Sequence, residues 1–526
     1  MRRLAFLILL LAFSGAAAAQ DGGGQPWWNA RVFYEIFVRS FYDSDGDGSG
    51  DLRGLIEKLD YLNDGDPATS SDLGVTGLWL MPIMPAASYH GYDVTDYYAV
   101  SPQYGSADDF RELIAEAHRR GIAVIIDLVL NHTSSQHPWF ISALGAGPRS
   151  PYYDYYLWAD APTSGGWHEH GGRYYYGHFW SEMPDLNYTN PAVTAAMYDI
   201  ATFWLEEMGV DGFRLDAAKH IVESRGKVEN TDETLAWLAD FSAHVHAIRP
   251  DALIVGEVWS PGSVIARYIP DSLDLAFEFD LAEGMVASAR SGSASALDVQ
   301  VRRALRNYAP GQFAPFLTNH DQTRAASEFN GDVGAAKAAA ALLLTAPGVP
   351  FLYYGEEVGM QGTKPDPRIR TPMPWTADAP GLGFTAGVPW EAAFAGYETA
   401  NVAAQDADPQ SLLNHYRALI ALRAAQPALT AGDTLQVETG ARAVYSLLRY
   451  TPGEALLVIV NLGAEPVTDY ALTLASGPLT GAPAASLLWG EGAVSAPVVN
   501  AAGGFDAYRP LPALAPHGSY VVRLAG

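Results

Sequence analysis

Short apolar runs alternate along most of this chain with longer segments whose apolar residues recur at helical spacing. Val32 to Val38 and Thr76 to Pro82 have the length and composition of strands. Ser106 to Arg120 is predicted to be a helix: Ser106 and Asp109 make a capping box, Phe110, Leu113, Ile114 and Ala117 share a face, and Gly121 stops it. Ile122 to Leu130 follows at once and is nearly all apolar, as a strand buried on both faces is. Gly212 to Leu215, Leu253 to Val258, Leu273 to Phe279, Phe313 to Thr318 and Val349 to Tyr354 bring the strand candidates to eight, with helical stretches such as Pro191 to Met208 and Thr231 to Ile248 between them. That alternation predicts an α/β fold, a closed (β/α)8 TIM barrel. A doubly wound open sheet alternates similarly, but no Gly-x-Gly-x-x-Gly follows the first strand.

The rhythm breaks twice. Asn131 to about Asn187 is rich in Tyr, Trp, Gly, Pro and His and too long for a strand-to-helix loop, which predicts an irregular domain inserted after strand 3. From about Gly432 the helical spacing ends; Ala443 to Tyr450 and Ala455 to Asn461 predict a C-terminal antiparallel β-domain, a β-sandwich. At the other end, Arg2 and Arg3, an apolar run from Leu4 to Phe13 and Ala17-Ala18-Ala19 have the pattern of a signal peptide. A retained anchor is the alternative, but the run is too short to span a bilayer and no later run is long enough. The expected division is a signal peptide over 1–19, barrel over 20–131, inserted domain over 132–187, barrel again over 188–431 and β-domain over 432–526.

Composition narrows the partners. A formal net charge of -27 repels the phosphates of nucleic acid and suits a neutral substrate. With no cysteine the chain has neither disulfides nor a lipidated cysteine. The expectation is an exported monomer, extracellular or periplasmic, with no membrane attachment in the mature form. Aromatic residues make up 12% of the chain; most fill a large core, while sugar rings stack on such faces.

Candidate chemistry gathers where predicted strands end, the side of a barrel that carries active sites. The fourth strand ends in Asp216, the fifth carries Glu257 near its end, the seventh ends in His320 and Asp321, and the third in Asn131-His132. Arg214 leaves the same face of its strand as Asp216. Alone, such an Arg-x-Asp is either an ion pair or an activated nucleophile. Several carboxylates around one axis suit glycosidic cleavage, one attacking the anomeric carbon and one protonating the leaving oxygen. Arg214 is expected to lower the pKa of Asp216; Glu257, flanked by Val255, Val258 and Trp259 with no adjacent base, is expected to be the acid.

Asp127-Leu-Val-Leu-Asn-His132, Gly212-Phe-Arg-Leu-Asp-Ala-Ala-Lys-His220, Gly256-Glu-Val-Trp259 and Phe316-Leu-Thr-Asn-His-Asp321 resemble, in order, four motifs of the α-amylase family of retaining glycoside hydrolases, and Met183-Pro-Asp-Leu-Asn187 resembles a fifth. The resemblance implies Asp216 as nucleophile, Glu257 as acid/base and Asp321 as the carboxylate that binds sugar hydroxyls. It also implies sugar contacts from His132, His320, Arg324 and from Tyr92 and Asp93 of His90-Gly-Tyr-Asp93, with Arg214 orienting the nucleophile and Lys219 and His220 on the leaving-group side. Ala217 and Lys219-His220 resemble endo-acting α-1,4 enzymes, whereas Asp321-Gln-Thr-Arg324 and Arg370-Thr-Pro-Met-Pro-Trp375 resemble oligo-1,6-glucosidases. The implied function is an α-amylase hydrolysing internal α-1,4 bonds of starch and maltodextrins; the alternatives are an exo-acting α-glucosidase or oligo-1,6-glucosidase, a transglycosylase, or a non-catalytic sugar-binding protein.

The loop Asp43-Ser-Asp-Gly-Asp-Gly-Ser-Gly-Asp51 sets carboxylates at alternate positions among glycines, as an oxygen-only calcium site requires, although Gly54 stands where an EF-hand has its last Glu. It is similar to the loop after the first strand in α-glucosidase-like members of the family, which implies calcium held by Asp43, Asp45, Asp47 and Asp51 with the carbonyl of Ser49. A second calcium implied by the family would use Asn131, Asp185 and the His220 carbonyl. His168-Glu-His170 lies in a Gly- and Tyr-rich loop without further ligands, so zinc is not expected.

Overall fold

The computed structural model describes residues 25–162 and 164–525; the expected signal peptide lies outside the described residues. Eight parallel strands form one sheet: β1 (Phe33–Ile36), β2 (Gly77–Leu80), β3 (Ala123–Val129), β4 (Gly212–Asp216), β5 (Leu253–Gly256), β6 (Leu275–Phe277), β7 (Phe313–Ala314) and β8 (Phe351–Tyr353). They neighbour one another in order, and β8 pairs back onto β1. The barrel closes where the Val349 and Phe351 amides donate to the carbonyls of Phe313 and Pro315 at 3.0 and 2.9 Å. This is the (β/α)8 barrel predicted from the alternation of apolar runs.

Two strands are shorter than their apolar runs. The β7 ladder stops at Ala314 because Pro315 has no N–H to donate. The β6 run ends at Phe277 because Phe279 opens a helix to Ser291, capped by the Glu278 carboxylate on the Leu281 amide. The helix over Ala107–Arg119 has the expected box, with Ser106 and Asp109 capping each other's amides. Asn190 caps Pro191–Glu206 and Thr231 caps Asp232–Ile248.

Alternate residues point into the barrel, and they change character along its axis. Phe33, Ile125, Leu253, Val255, Leu275, Phe277, Phe316 and Phe351 belong to a closed apolar cluster. Phe33 and Phe351 stack at 4.6 Å, and Gly77 makes room for them, since a Cβ there would meet the Phe33 ring at 2.5 Å. Two residues further along the same strands the interior positions are Glu35, Asp127 and Arg214, then Asp216 and Glu257. The register sets Asp127 beside Arg214 and Arg214 beside Val255. The floor is therefore dry hydrocarbon and the upper layer is charge, all of it at the C-terminal ends of the strands.

The segment after β3 carries a helix, Pro138–Ala146, and a three-stranded antiparallel sheet with Arg173–Tyr176 at its centre. Bridges between His132 and Asp185 and between Tyr156 and Leu186 tie its two ends together beside the barrel. Beyond Asp433 five antiparallel strands and a further pair, Leu472–Leu474 with Phe505–Tyr508, enclose their own apolar core, a lopsided sandwich. Among the described residues no helix is long and apolar enough to cross a membrane.

Candidate active site

Arg214 is the hub. Its side chain is 1% exposed, so the guanidinium is desolvated and must be paired. Nη1 donates to Asp127 and to Asp216, each at 2.7 Å, and Nη2 donates to Glu257 at 2.8 Å. The rings of Trp79 and Tyr92 cover it at 5.0 and 5.9 Å. The expectation that Glu257 lacks a basic neighbour is thus corrected: Val255 and Val258 flank it along the chain, but the register of β4 with β5 brings Arg214 onto it. The Ala217 amide donates to the same Glu257 oxygen at 3.1 Å.

The three acids named from the sequence converge at the mouth. Side-chain exposures of 13% for Asp216, 14% for Glu257 and 34% for Asp321 show all three reaching solvent, where Asp127 at 0% does not. Burial pushes Glu257 up to about 7; Arg214 opposes this, and the Asp216 and Asp321 charges reinforce it. Burial likewise pushes Asp216 up to about 6 against the pull of Arg214, so the expected lowering is also corrected: one shared cation does not offset desolvation. The order survives, with Glu257 the more readily protonated. Asp321 goes the other way. Burial works to raise it, but the His320 imidazole and the Arg370 guanidinium, at 2.9 Å, hold it below the usual carboxylate range. Burial also drives the His320 pKa well down, so Arg370 supplies the positive charge.

The other expected sugar contacts divide. Tyr92 stacks on His320 at 5.5 Å and places its hydroxyl 2.7 Å from Nε2. His132 is 1% exposed; its Nε2 has no partner within the chain, and burial lowers its pKa to about 3, leaving a neutral ring. Lys219 donates to the Trp259 carbonyl at 2.9 Å and pairs with Glu229. His220, 5% exposed, bonds the Val228 carbonyl beneath the rings of His178 and Phe179. Phe179, Trp180 and Trp259 are each nearly half exposed, and Trp259 stacks on Phe279 at 4.7 Å.

Two further residues expected to touch sugar are held by the chain itself. Arg324 is 2% exposed, lies over the rings of Tyr353 and Tyr354, and donates to the carbonyls of Ile369 and Tyr354 at 2.8 and 2.7 Å. It clamps the segment carrying Arg370 to the end of β8. Asp93 is 1% exposed and accepts the Ser88 amide and hydroxyl, closing the 88–93 turn. Arg370, the cation on Asp321, stands out in the sequence only as part of a branch motif. No local signal ties it to Asp321, 49 residues away.

In the acidic loop, ligand oxygens of Asp43, Asp45 and Asp51 lie within 4.8 Å of one another, the one such group of three among the described residues. Asp47 is outside it and accepts the Ser49 amide at 2.8 Å, while the Ser49 hydroxyl accepts from Arg39. A hard-oxygen set of three carboxylates fits calcium. The loop is pressed against residues 384–390: Thr385 bonds Asp43, and a Cβ at Gly48 would sit 2.0 Å from the Val388 carbonyl oxygen. At the second expected site Asp185 is buried, one carboxylate oxygen accepting the His178 amide, with Asn131 and Glu223 beside the carboxylate. The sequence reading missed its neighbour Glu223, which burial pushes up to about 7. Asn131, Asp185 and Glu223 thus bring side-chain oxygens together, a donor set that also suits a hard cation. His168 is spent on the Gly177 carbonyl.

The family model described as "Alpha amylase, catalytic domain" matches residues 35–432. α-Amylase 3 of Dictyoglomus thermophilum is 42% identical over 468 residues, covering 88% of this chain and 90% of that protein. A trehalose synthase/amylase of Mycobacterium tuberculosis is 34% identical, with 86% and 84% covered. The crystal structure of an α-amylase from H. orenii superposes with a TM-score of 0.81 at 41% identity, over 94% of this chain and 99% of that one.

Proposed function

The chain belongs to the α-amylase family of glycoside hydrolases, and on that premise we propose that it is an exported, monomeric α-amylase cutting internal α-1,4 bonds of starch and maltodextrins with retention. The observation that carries this is the pair Asp216 and Glu257 held on one guanidinium, with Asp321 opposite. Oxygens bonded to the two outer nitrogens of one planar fork lie a few ångströms apart, as a double displacement needs. Asp216 attacks the anomeric carbon as Glu257 gives its proton to the departing oxygen. Glu257, now ionised, takes a proton from water, whose oxygen displaces Asp216. Asp321, kept ionised by Arg370, accepts hydroxyl hydrogen bonds and stabilises the positive ring. His132 offers its unpaired Nε2 to the same sugar.

Calcium at Asp43, Asp45 and Asp51 would neutralise a loop packed against residues 384–390, adding stability; Asn131, Asp185 and Glu223 would hold a second ion. The N-terminal pattern of Met1 to Gln20 supports export. Similarity to a trehalose synthase/amylase supports a second reading, transfer of the glycosyl group to a sugar in place of water. Products from maltoheptaose decide: mixed short oligosaccharides mean endo hydrolysis, glucose alone means exo action, and longer or rearranged products mean transfer. Equal sugar release by wild type and Glu257→Gln would end the catalytic assignment.

A further inference from the structure

Glu35, at the interior of β1, is 2% exposed and touches no part of the reacting pair, yet its carboxyl meets His320 Nδ1 at 2.5 Å. Which of the two carries the proton follows from the neighbours. Both oxygens of Asp127 face N–H groups that can only donate: Arg214 at 2.7 Å and Trp79 Nε1 at 3.2 Å. Burial pushes Asp127 up only to about 6 against Arg214, so at neutral pH it is an ionised acceptor, and the Tyr92 hydroxyl, 3.1 Å from it, donates there. That leaves the Tyr92 oxygen free to accept from His320 Nε2, 2.7 Å away. Nε2 also lies 3.3 Å from Asp321 Oδ2, whose partner oxygen is taken by Arg370, so a lone pair on Nε2 would face a carboxylate. Nε2 therefore carries a hydrogen; in a ring that burial keeps neutral, Nδ1 then accepts, and the hydrogen between Nδ1 and Glu35 belongs to Glu35.

We propose that Glu35 is a positioning residue: a buried, neutral carboxylic acid that donates to Nδ1 and fixes His320 as the Nε2–H tautomer presented to Asp321 and the sugar. This deepens the proposed function and rests on it for its role, though not for the proton assignment. The charged and titratable groups facing Glu35 are Arg214, Asp127, Asp321, Arg370, Tyr353 and His320; burial, reinforced by the Asp127 and Asp321 charges, outweighs the pull of Arg214 and Arg370 and keeps it protonated. Losing its proton to solvent would set a third negative charge beside Asp127 and Asp321, and passing it to Nδ1 would replace a neutral hydrogen bond by a buried ion pair, with its cost of desolvation.

The test pairs Glu35→Gln with Glu35→Leu. Gln is a neutral donor of the same shape, so kcat/KM on maltoheptaose should stay within about threefold of wild type and both limbs of its pH profile should stay in place. Leu leaves the ring free to turn or take the wrong tautomer, and kcat/KM should fall on the order of 10²-fold or more. A shift of both limbs towards acid by about one pH unit or more in Glu35→Gln would show that a negative charge had been removed, overturning the proposal. So would full activity in Glu35→Leu. Protein labelled with 15N-histidine, with His320→Gln to assign the signal, reads the tautomer whether or not the Leu variant folds. A protonated Nδ1 would refute the assignment even if starch proved not to be the substrate.

Discussion

Arg214 lies as close to Glu257 as to Asp216, 2.8 Å against 2.7 Å, so the group expected to donate a proton and the group expected to attack share one cation. The guanidinium thereby does two opposed things: it limits how far burial raises each acid, and it fixes their separation. Arg214→Lys keeps the charge but cannot reach Asp127, Asp216 and Glu257 together. The expected loss in kcat is about 10²–10³-fold, with KM changed far less, because the hydrogen bonds that lysine cannot make are those to the reacting pair. Steady-state kinetics on maltoheptaose, with circular dichroism to show the fold retained, check this.

The two raised carboxyls set the pH range. The productive form needs Asp216 ionised and Glu257 protonated; with these at about 6 and about 7, kcat/KM should describe a narrow bell between those values. Its acid limb falls as Asp216 gains its proton and its alkaline limb as Glu257 loses its own, both limbs belonging to the coupled pair. Glu257→Gln should cost about 10²–10⁴-fold and abolish the alkaline limb. A profile flat from pH 5 to 8 would contradict the assignment.

The barrel was legible because parallel strands covered on both faces must be apolar throughout, which made Ile122 to Leu130 and its counterparts stand out. Chain ends of strands were less so: Pro315 and Phe279 stop their ladders within runs that stay apolar. Asp216, Glu257 and Asp321 could be named because each sits at such an end within a motif. What could not be read was pairing across the barrel. Arg214 reaches Glu257 from 43 residues away, Arg370 reaches Asp321 across 49, and Glu35 reaches His320 across 285. Arg324 shows the converse: it stands three residues after Asp321 in sequence, but its side chain is held on the carbonyls of Tyr354 and Ile369.

The acidic loop makes a stability prediction. Gly48 has φ +97°, and a Cβ there meets the Val388 carbonyl, so Gly48→Ala should cost about 1–3 kcal/mol through strain and displacement of residues 384–390. If Asp43, Asp45 and Asp51 hold calcium, a chelator should lower the thermal midpoint of wild type, and Asp43→Ala should lower it without chelator. In Asp43→Ala any remaining chelator effect reports the Asn131, Asp185 and Glu223 set. Scanning calorimetry at matched ionic strength separates the cases, and no chelator response in wild type would remove both ions.

Ala217 joins the two acids, following Asp216 in sequence while its amide donates to Glu257 at 3.1 Å. It does so from a left-handed backbone, φ +48°, where a β-branched side chain is strained. The family resemblance associates Val at this position with α-1,6 cleavage and Ala with α-1,4. Ala217→Val should therefore raise the isomaltotriose-to-maltotriose ratio of kcat/KM, and because the amide must shift to relieve the new side chain, it should also lower kcat on both. Strain of this kind costs about 1–3 kcal/mol, so the thermal midpoint should fall as well. Ala217→Gly tolerates the same backbone and adds no side chain, which makes it the control: it should keep the wild-type ratio. A ratio unchanged in Ala217→Val would mean that linkage choice is made elsewhere, by the groups that hold the leaving sugar.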